Sequence, residues 1–349
     1  MTLLIPLNYP NSETIVPPSL GVGSAGDRNG NAMSMWRTTA VWLVLLLATV
    51  FATGVAQAKE PFAEFVAGMR ERGFFDYALI YLDDAHSDPK MPADLKTLIP
   101  FEKATVLIEW ARSGQGGPDL AAKNYDLALT LLDKFIQDNP THEKGGQANS
   151  DRGRILLGRA RIESWNARIP GNEASKFETQ RKAFDFITKA REIFQKARDQ
   201  HEKSWQSFGA FIDQKDNPEK FEQRRRSEVR FIQAQLDHCE CAYEEAQTQE
   251  KNSADYKKKL DDAAEQFKLV HDRYRSQLGG LHARAKQAKC FEEQDDVQRA
   301  LGIYDELLSH PDESPNMVKL KDLVRQFRLI CLNHPNRKDY QVVADEAAA

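Results

Sequence analysis

The sequence predicts an all-α chain assembled from helical hairpins. Apolar residues recur at helical spacing along most of its length. Proline, glycine and asparagine interrupt these stretches at intervals that suit single helices. A short motif also recurs: Ala128, Leu132, Phe135 and Pro140 in NYDLALTLLDKFIQDNP, Ala300, Tyr304, Leu307 and Pro311 in VQRALGIYDELLSHP, and Ala78, Leu82, Ala85 and Pro89 in FFDYALIYLDDAHSDP. A small residue is followed four later by a large apolar one, then by another apolar or small residue, then by proline. That is one face of a helix with a stop behind it.

The chain opens on residues 1–32, which are rich in proline, glycine and asparagine and lack a helical period. They read as a disordered extension or as the product of a misassigned start, with Met33 or Met35 as the better initiator. Residues 33–58 read as a secretory signal peptide: Arg37, the apolar run AVWLVLLLATVF over 40–51, and Ala56-Gln57-Ala58 as the cleavage site before Lys59. The alternative is an uncleaved membrane anchor over 40–58, although the run is short for a span. Residue 59 is lysine, so no lipid attachment is indicated there. The expected location is the periplasm or cell envelope.

From residue 59 to 349 the helices follow in order. Residues 61–73 form a first helix ending at Gly73, and 74–86 its partner. Asp88-Pro89 and Met91-Pro92 break the chain. Helix 98–112 buries Phe101, Ala104, Leu107, Ile108 and Ala111. The loop SGQGGP precedes helix 119–138, which stops at Asn139-Pro140. A first helix from Gly145 carries Ile155, Leu156, Ala160 and Ile162 and turns at Ile169–Asn172. Helix 174–203 places Ala190, Phe194 and Ala197 on one face. A break near Asp216-Asn217-Pro218 leads into 219–250, a long polar helix with Phe221, Val229, Ile232, Leu236 and Tyr243. Helices 254–276, 281–293, 296–309 and 316–332 complete the array. A last helix over 338–349 reaches DEAAA before a large apolar residue can dock, so either another chain covers that end or the chain continues beyond Ala349.

The motif resembles that of the tetratricopeptide repeat family. The resemblance is closest over 98–140 and 278–311, fair over 61–89 and 254–276, and weak between. Motif alanines at 78, 128, 190, 263 and 300 are unevenly spaced, and only the last interval approaches the family period of about 34 residues. The resemblance implies degenerate repeats with lengthened middle helices, stacked as a right-handed solenoid whose first helices line a concave face that holds a peptide or a partner helix. It implies a protein-binding scaffold, or the N-terminal helical region of a larger envelope enzyme or assembly. Reading frame continuing beyond Ala349 would separate the two.

Composition agrees with a packed, solvated helical protein. Hydrophobic residues at 41% supply an interior, and charged residues at 29% suit long exposed helix faces. The net charge of −4, together with export, argues against nucleic acid. No catalytic signature stands out. The chain has no phosphate loop or nucleophile elbow, and GQGG at 114–117 follows no strand. His142-Glu143 lacks the second zinc histidine, because Gly146 holds its place. Asp83, Asp84 and His86 read as a solvated run. His238, Cys239 and Cys241 read as a buried cluster rather than a metal site, since zinc needs four ligands. Cys290 and Cys331 lie in first helices of consecutive hairpins and are either free buried thiols or neighbours able to pair. The expected cofactor is none, and the expected role is not enzymatic.

Charge supplies the candidate site. Arg152, Arg154, Arg159 and Arg161 share one first helix in two rows, with Arg168 just beyond; His282, Arg284, Lys286 and Lys289 share another. If both helices line the groove, it suits a protein or peptide partner of acidic character. Arg152, Arg159, Arg161 and Arg284 are the expected partner-binding residues, against the alternative of a solvated face balanced by glutamates. Arg224, Arg225 and Arg226 point three ways and read as exposed. Trp110, Trp165 and Trp205 read as packed between helices.

Overall fold

The computed structural model describes residues 62–349, apart from Ala210, Asp312, Glu313, Asn336, Lys338 and Ala349. The extension, the signal segment and its cleavage site lie outside the described residues. Phe74 closes one compact unit, and Phe75–Ala349 forms a second. The described part of the first unit is helix α1 (Phe62–Glu71), which buries Val66. The second unit holds α2 (Phe75–Ser87), α3 (Ala93–Ser113), α4 (Gly117–Asp138), α5 (Gly145–Asn166), α6 (Lys176–Gln206), α7 (Pro218–Gln247), α8 (Ala254–Arg273), α9 (Leu278–Glu293), α10 (Val297–Leu308), α11 (Pro315–Leu332) and α12 (Tyr340–Ala348). Among the described residues there is no strand.

Local chemistry sets several helix ends. The hydroxyls of Ser253 and Ser314 and the carboxylate of Asp296 accept the backbone N–H three residues on, which caps α8, α11 and α10. Gly114, at φ 75°, ends α3 in the left-handed region that glycine enters without strain. Several boundaries shift by two or three residues from the sequence reading, and one shifts further. Helix α3 begins at Ala93, five residues earlier than expected, and carries Pro100 inside it. The proline removes one helical donor, yet Ile99 and Phe101 on either side are buried, so packing holds the turn that propensity alone would break.

Consecutive helices from α2 to α12 pack on one another, and α3, α5, α7, α9 and α11 also pack each on the next of their own set. Side-chain partners reveal the directions. Between α4 and α5, Asp133 meets Arg152 while Asp126 meets Arg159, so the two run antiparallel. Between α6 and α7, Ser204 meets Ser227 while Arg191 meets Glu245, again antiparallel. Between α5 and α7, Arg154 meets Asp237 and Arg161 meets Glu244; the numbers rise together, so these helices are parallel. The pairs Glu240 with Lys286 and Tyr243 with Glu293 give the same direction for α7 and α9. Antiparallel neighbours with parallel alternate helices are what successive hairpins produce.

The core is segmented along the array. One cluster joins α3, α4 and α5 around Leu132 and Phe135, a second joins α5 and α6 around Phe194 and takes in Cys241, and a third runs from α7 to α11 around Phe267 and Tyr304. The motif alanines and large residues from α4 onward lie within these clusters, and those of α2 are buried as well. Ala78, Ala128, Ala190, Ala263 and Ala300 are each 0% exposed, as are the large residues four later, Leu82, Leu132, Phe194, Phe267 and Tyr304. Small residues admit close helix approach, and the large residue fills the groove beside them. Helix α5 is closely held on both sides. A Cβ on Gly153 would stand 2.6 Å from the Phe194 ring of α6, and one on Gly158 would stand 2.5 Å from the Tyr125 ring of α4. The last helix, α12, packs on α11 and sets Val343 against the third cluster, so an apolar residue does dock there, while Tyr340 and Val342 stay exposed.

Candidate functional site

The middle of the odd-numbered layer holds a row of buried charges. Helix α7 presents Asp237, Glu240 and Glu244 at spacings of three and four, which places them along one face. On one side α5 supplies Arg154 and Arg161, seven residues apart, in register with Asp237 and Glu244, also seven apart. Arg154 Nη2 lies 2.8 Å from Asp237 Oδ2 and its Nη1 3.0 Å from Asp151. Arg161 Nε lies 2.5 Å from Glu244 Oε1, and its Nη2 3.4 Å from Glu240 Oε2. On the other side α9 supplies Lys286, whose Nζ lies 2.8 Å from Glu240 Oε1. Three cations thus face the four carboxylates of Asp151, Asp237, Glu240 and Glu244. Further along α9, Lys289 pairs with Glu292 and with Glu293, while the hydroxyls of Tyr304 and Tyr256 donate to Glu292 and Glu293 at 3.0 and 2.8 Å.

Burial governs the titration of this row. It raises the carboxyls of Asp151 and Glu244 above the ordinary range even though Arg154 and Arg161 pull each back. It raises Glu292 likewise against Lys289. At Arg161 burial pulls the other way, and the charges of Glu244 and Glu240 outweigh it. His282, on α9, is driven down to about 4 by burial and then by Lys286. Charges removed from water persist only when each is met by an opposite charge or hydrogen bond, and this row meets that condition across three helices.

All four arginines expected to bind a partner lie against acids of this chain. Arg152 Nε is 2.7 Å from Asp133, an ion pair without hydrogen-bond alignment, and Arg159 Nε is 3.2 Å from Asp126 in the same manner. The Arg159 guanidinium also lies 5.7 Å from the Phe186 ring centre. Arg161 is bound as described, and Arg284 Nη2 is 2.7 Å from Glu306. The arginine rows of α5 therefore split, with 152 and 159 turned to α4 and 154 and 161 turned to α7. The signal for the second split was present in the matched seven-residue spacings of 154/161 and 237/244, although nothing local joins residues 83 positions apart.

The remaining candidates fall in different places. All four cysteines are buried free thiols. Burial raises each thiol, Cys239 and Cys331 to about 12, so none is a ready nucleophile. Asp83 pairs with Lys103, and the His142 ring stands edge-on to Phe135, 5.2 Å between centres. Trp110 stacks on Phe75 and Trp205 on Phe231, as packing residues, but Trp165 is 38% exposed. Among the described residues no group of three or more His, Cys, Asp or Glu is placed to hold a metal ion, and no helix is long and apolar enough to cross a membrane.

Beside the buried row, a cavity of about 330 Å³ opens between the α5–α6 and α7–α8 turns. Arg168, Lys176 and Lys251 line it together with Glu173 and Glu250. Arg168 Nη2 donates to the Gln247 carbonyl at 2.6 Å and Gln180 Nε2 to the Thr248 carbonyl at 3.0 Å, which ties the two turns together. Neither known protein families nor curated proteins show a match to this chain.

Proposed function

We propose that this chain is an exported helical-repeat scaffold that holds a protein or peptide partner in the cell envelope, acting by binding and without a cofactor. In this reading the hairpins coil into a right-handed tetratricopeptide-like superhelix. The observation that carries it is the alternation of antiparallel neighbours and parallel alternate helices, with every motif alanine at a fully buried contact. Such an array has a segmented core and a long surface, the arrangement by which repeat proteins present extended binding faces. The buried charge row supports the same reading. Its carboxylates and cations are bound to one another, which suits a rigid frame better than a reacting centre. The internally paired Arg152, Arg159, Arg161 and Arg284 contribute to partner capture only so far as their exposed edges reach it.

Affinity capture with the purified full chain in envelope extract, read by mass spectrometry and repeated as a crosslinking experiment, tests this. A partner recovered in stoichiometric amount and crosslinked to the repeat helices is the expected result. A chain that captures nothing, and whose X-ray scattering fits a sphere rather than an elongated superhelix, overturns it. N-terminal sequencing of exported material tests the export element, with Lys59 as the expected first residue and retention of Trp42 as the contrary result.

A further inference from the structure

Most basic groups of the α5 layer are neutralised from within, and the cavity between the two turns is the exception. Arg168 donates its guanidinium hydrogens to Gln247, through the carbonyl and through Oε1 at 3.0 Å. Both acceptors are neutral, so its charge is uncompensated. Lys176 and Lys251 form no close ion pair with any described residue, and only the longer-range charges of Glu173 and Glu293 act on them. Of the two carboxylates lining the cavity, Glu173 is turned onto its own loop, where Oε1 accepts the Gly171 N–H at 3.1 Å. Counting both Glu173 and Glu250 against the three cations, the lining keeps a balance of one positive charge. Three cations from two hairpins thus converge on one concavity whose walls are tied by the Arg168–Gln247 and Gln180–Thr248 bonds.

We propose that this cavity is a carboxylate-binding pocket that receives an acidic segment of the scaffold's protein partner. The proposal rests on the scaffold reading and gives it a docking point. The volume lies at the lower end of the range for ligand sites, enough for one or two side chains and too small for a folded element. An extended Asp- or Glu-bearing segment therefore fits. Arg168 offers a fixed guanidinium held in place by its own hydrogen bonds, while the lysines supply flexible point charges that adapt to where the carboxylates fall. An incoming carboxylate is met by cations already anchored on the protein, and no internal ion pair has to break first. That is the difference from Arg152, Arg159, Arg161 and Arg284.

Fluorescence anisotropy of a fluorescein-labelled deca-glutamate peptide, titrated with the full chain, tests the pocket. Deca-glutamine serves as the uncharged control. Lys176→Gln/Lys251→Gln is compared with Arg225→Gln/Arg226→Gln, which removes the same charge from α7 away from the cavity. Neither lysine has an ion pair to lose, so the first variant keeps the parental urea midpoint. The expected result is binding of deca-glutamate alone, weakened at least about tenfold by the lysine variant and less than about twofold by the arginine variant. Equal loss in the two variants would mean diffuse electrostatics and overturns the pocket, as does unchanged binding in the lysine variant. If the envelope partner is still captured by the lysine variant at parental strength, the pocket falls and the scaffold reading stands. If deca-glutamate behaves as expected while the chain captures no protein, the pocket is an anion site and the partner assignment falls with the scaffold reading.

Discussion

Replacing Glu240 by methionine removes the carboxylate that pairs with Lys286 in the buried row. The Glu240 and Lys286 side chains are 3% and 4% exposed, and their charged atoms stand 2.8 Å apart. Removing the carboxylate leaves the Lys286 ammonium in the interior without its close partner, 5.7 Å from the Tyr243 ring centre and within the field of the more distant Glu244 carboxylate. An aromatic face recovers about 1–2 kcal/mol at most, whereas breaking a buried pair by deleting one member costs about 3–5 kcal/mol. Arg161 loses only its longer contact, at 3.4 Å, and keeps Glu244 at 2.5 Å. The expected loss for Glu240→Met is therefore about 3 kcal/mol or more. In Glu240→Met/Lys286→Met both charges are gone and two apolar chains of similar length replace them, so the double variant returns to within about 1 kcal/mol of the parent. Urea denaturation of the parent, both single variants and the double variant, followed by far-ultraviolet circular dichroism, gives the coupling energy as a closed cycle. A single variant within about 1 kcal/mol of the parent, or a double variant as unstable as the worse single, would refute the assignment of this pair as a desolvated, mutually dependent contact.

Four further outcomes follow from packing and burial. Gly158→Ala gains about 1 kcal/mol of helix propensity but meets the Tyr125 ring at 2.5 Å; with overpacking at about 1–3 kcal/mol it lowers the urea midpoint. Gly302→Ala, with nothing within 4 Å of its Cβ, raises the midpoint by the same assay. Ala128→Trp and Ala300→Trp, at fully buried positions, each lose at least about 1–3 kcal/mol, and parental midpoints would mean the motif face is not a helix contact. The folded state holds His282 near 4 rather than 6.5. Its contribution to stability is complete above about pH 6.5 and is lost as the pH falls toward 4, amounting to about 2 kcal/mol by about pH 5. A His282→Gln chain should lack that part of the acid sensitivity in urea melts, and a parent and variant with identical pH dependence would contradict the burial of this ring.

The sequence by itself determined the helices, their order and the apolar motif residues they bury. Ala128, Leu132 and Phe135 declare a buried face because spacing along one helix is a local property, and the stop behind them is equally local. Burial of Ala190, Phe194 and Ala197 was legible for the same reason, even without the closing proline. The start of α3 was not, because Pro100 signals a break that only the surrounding core overrides. Nor were the partners of the α5 arginines. Arg154 and Arg159 look alike in the chain, yet one faces a buried carboxylate on α7 and the other a half-exposed one on α4, and the direction depends on how three helices are arranged around α5. The charge of a residue is written in the sequence; whether that charge is still available to a partner depends on which acids folding brings within reach. Tertiary structure alone decided that the expected binding arginines form close ion pairs with internal acids while Arg168, Lys176 and Lys251 form none, since ion pairing acts through space between residues far apart in the chain.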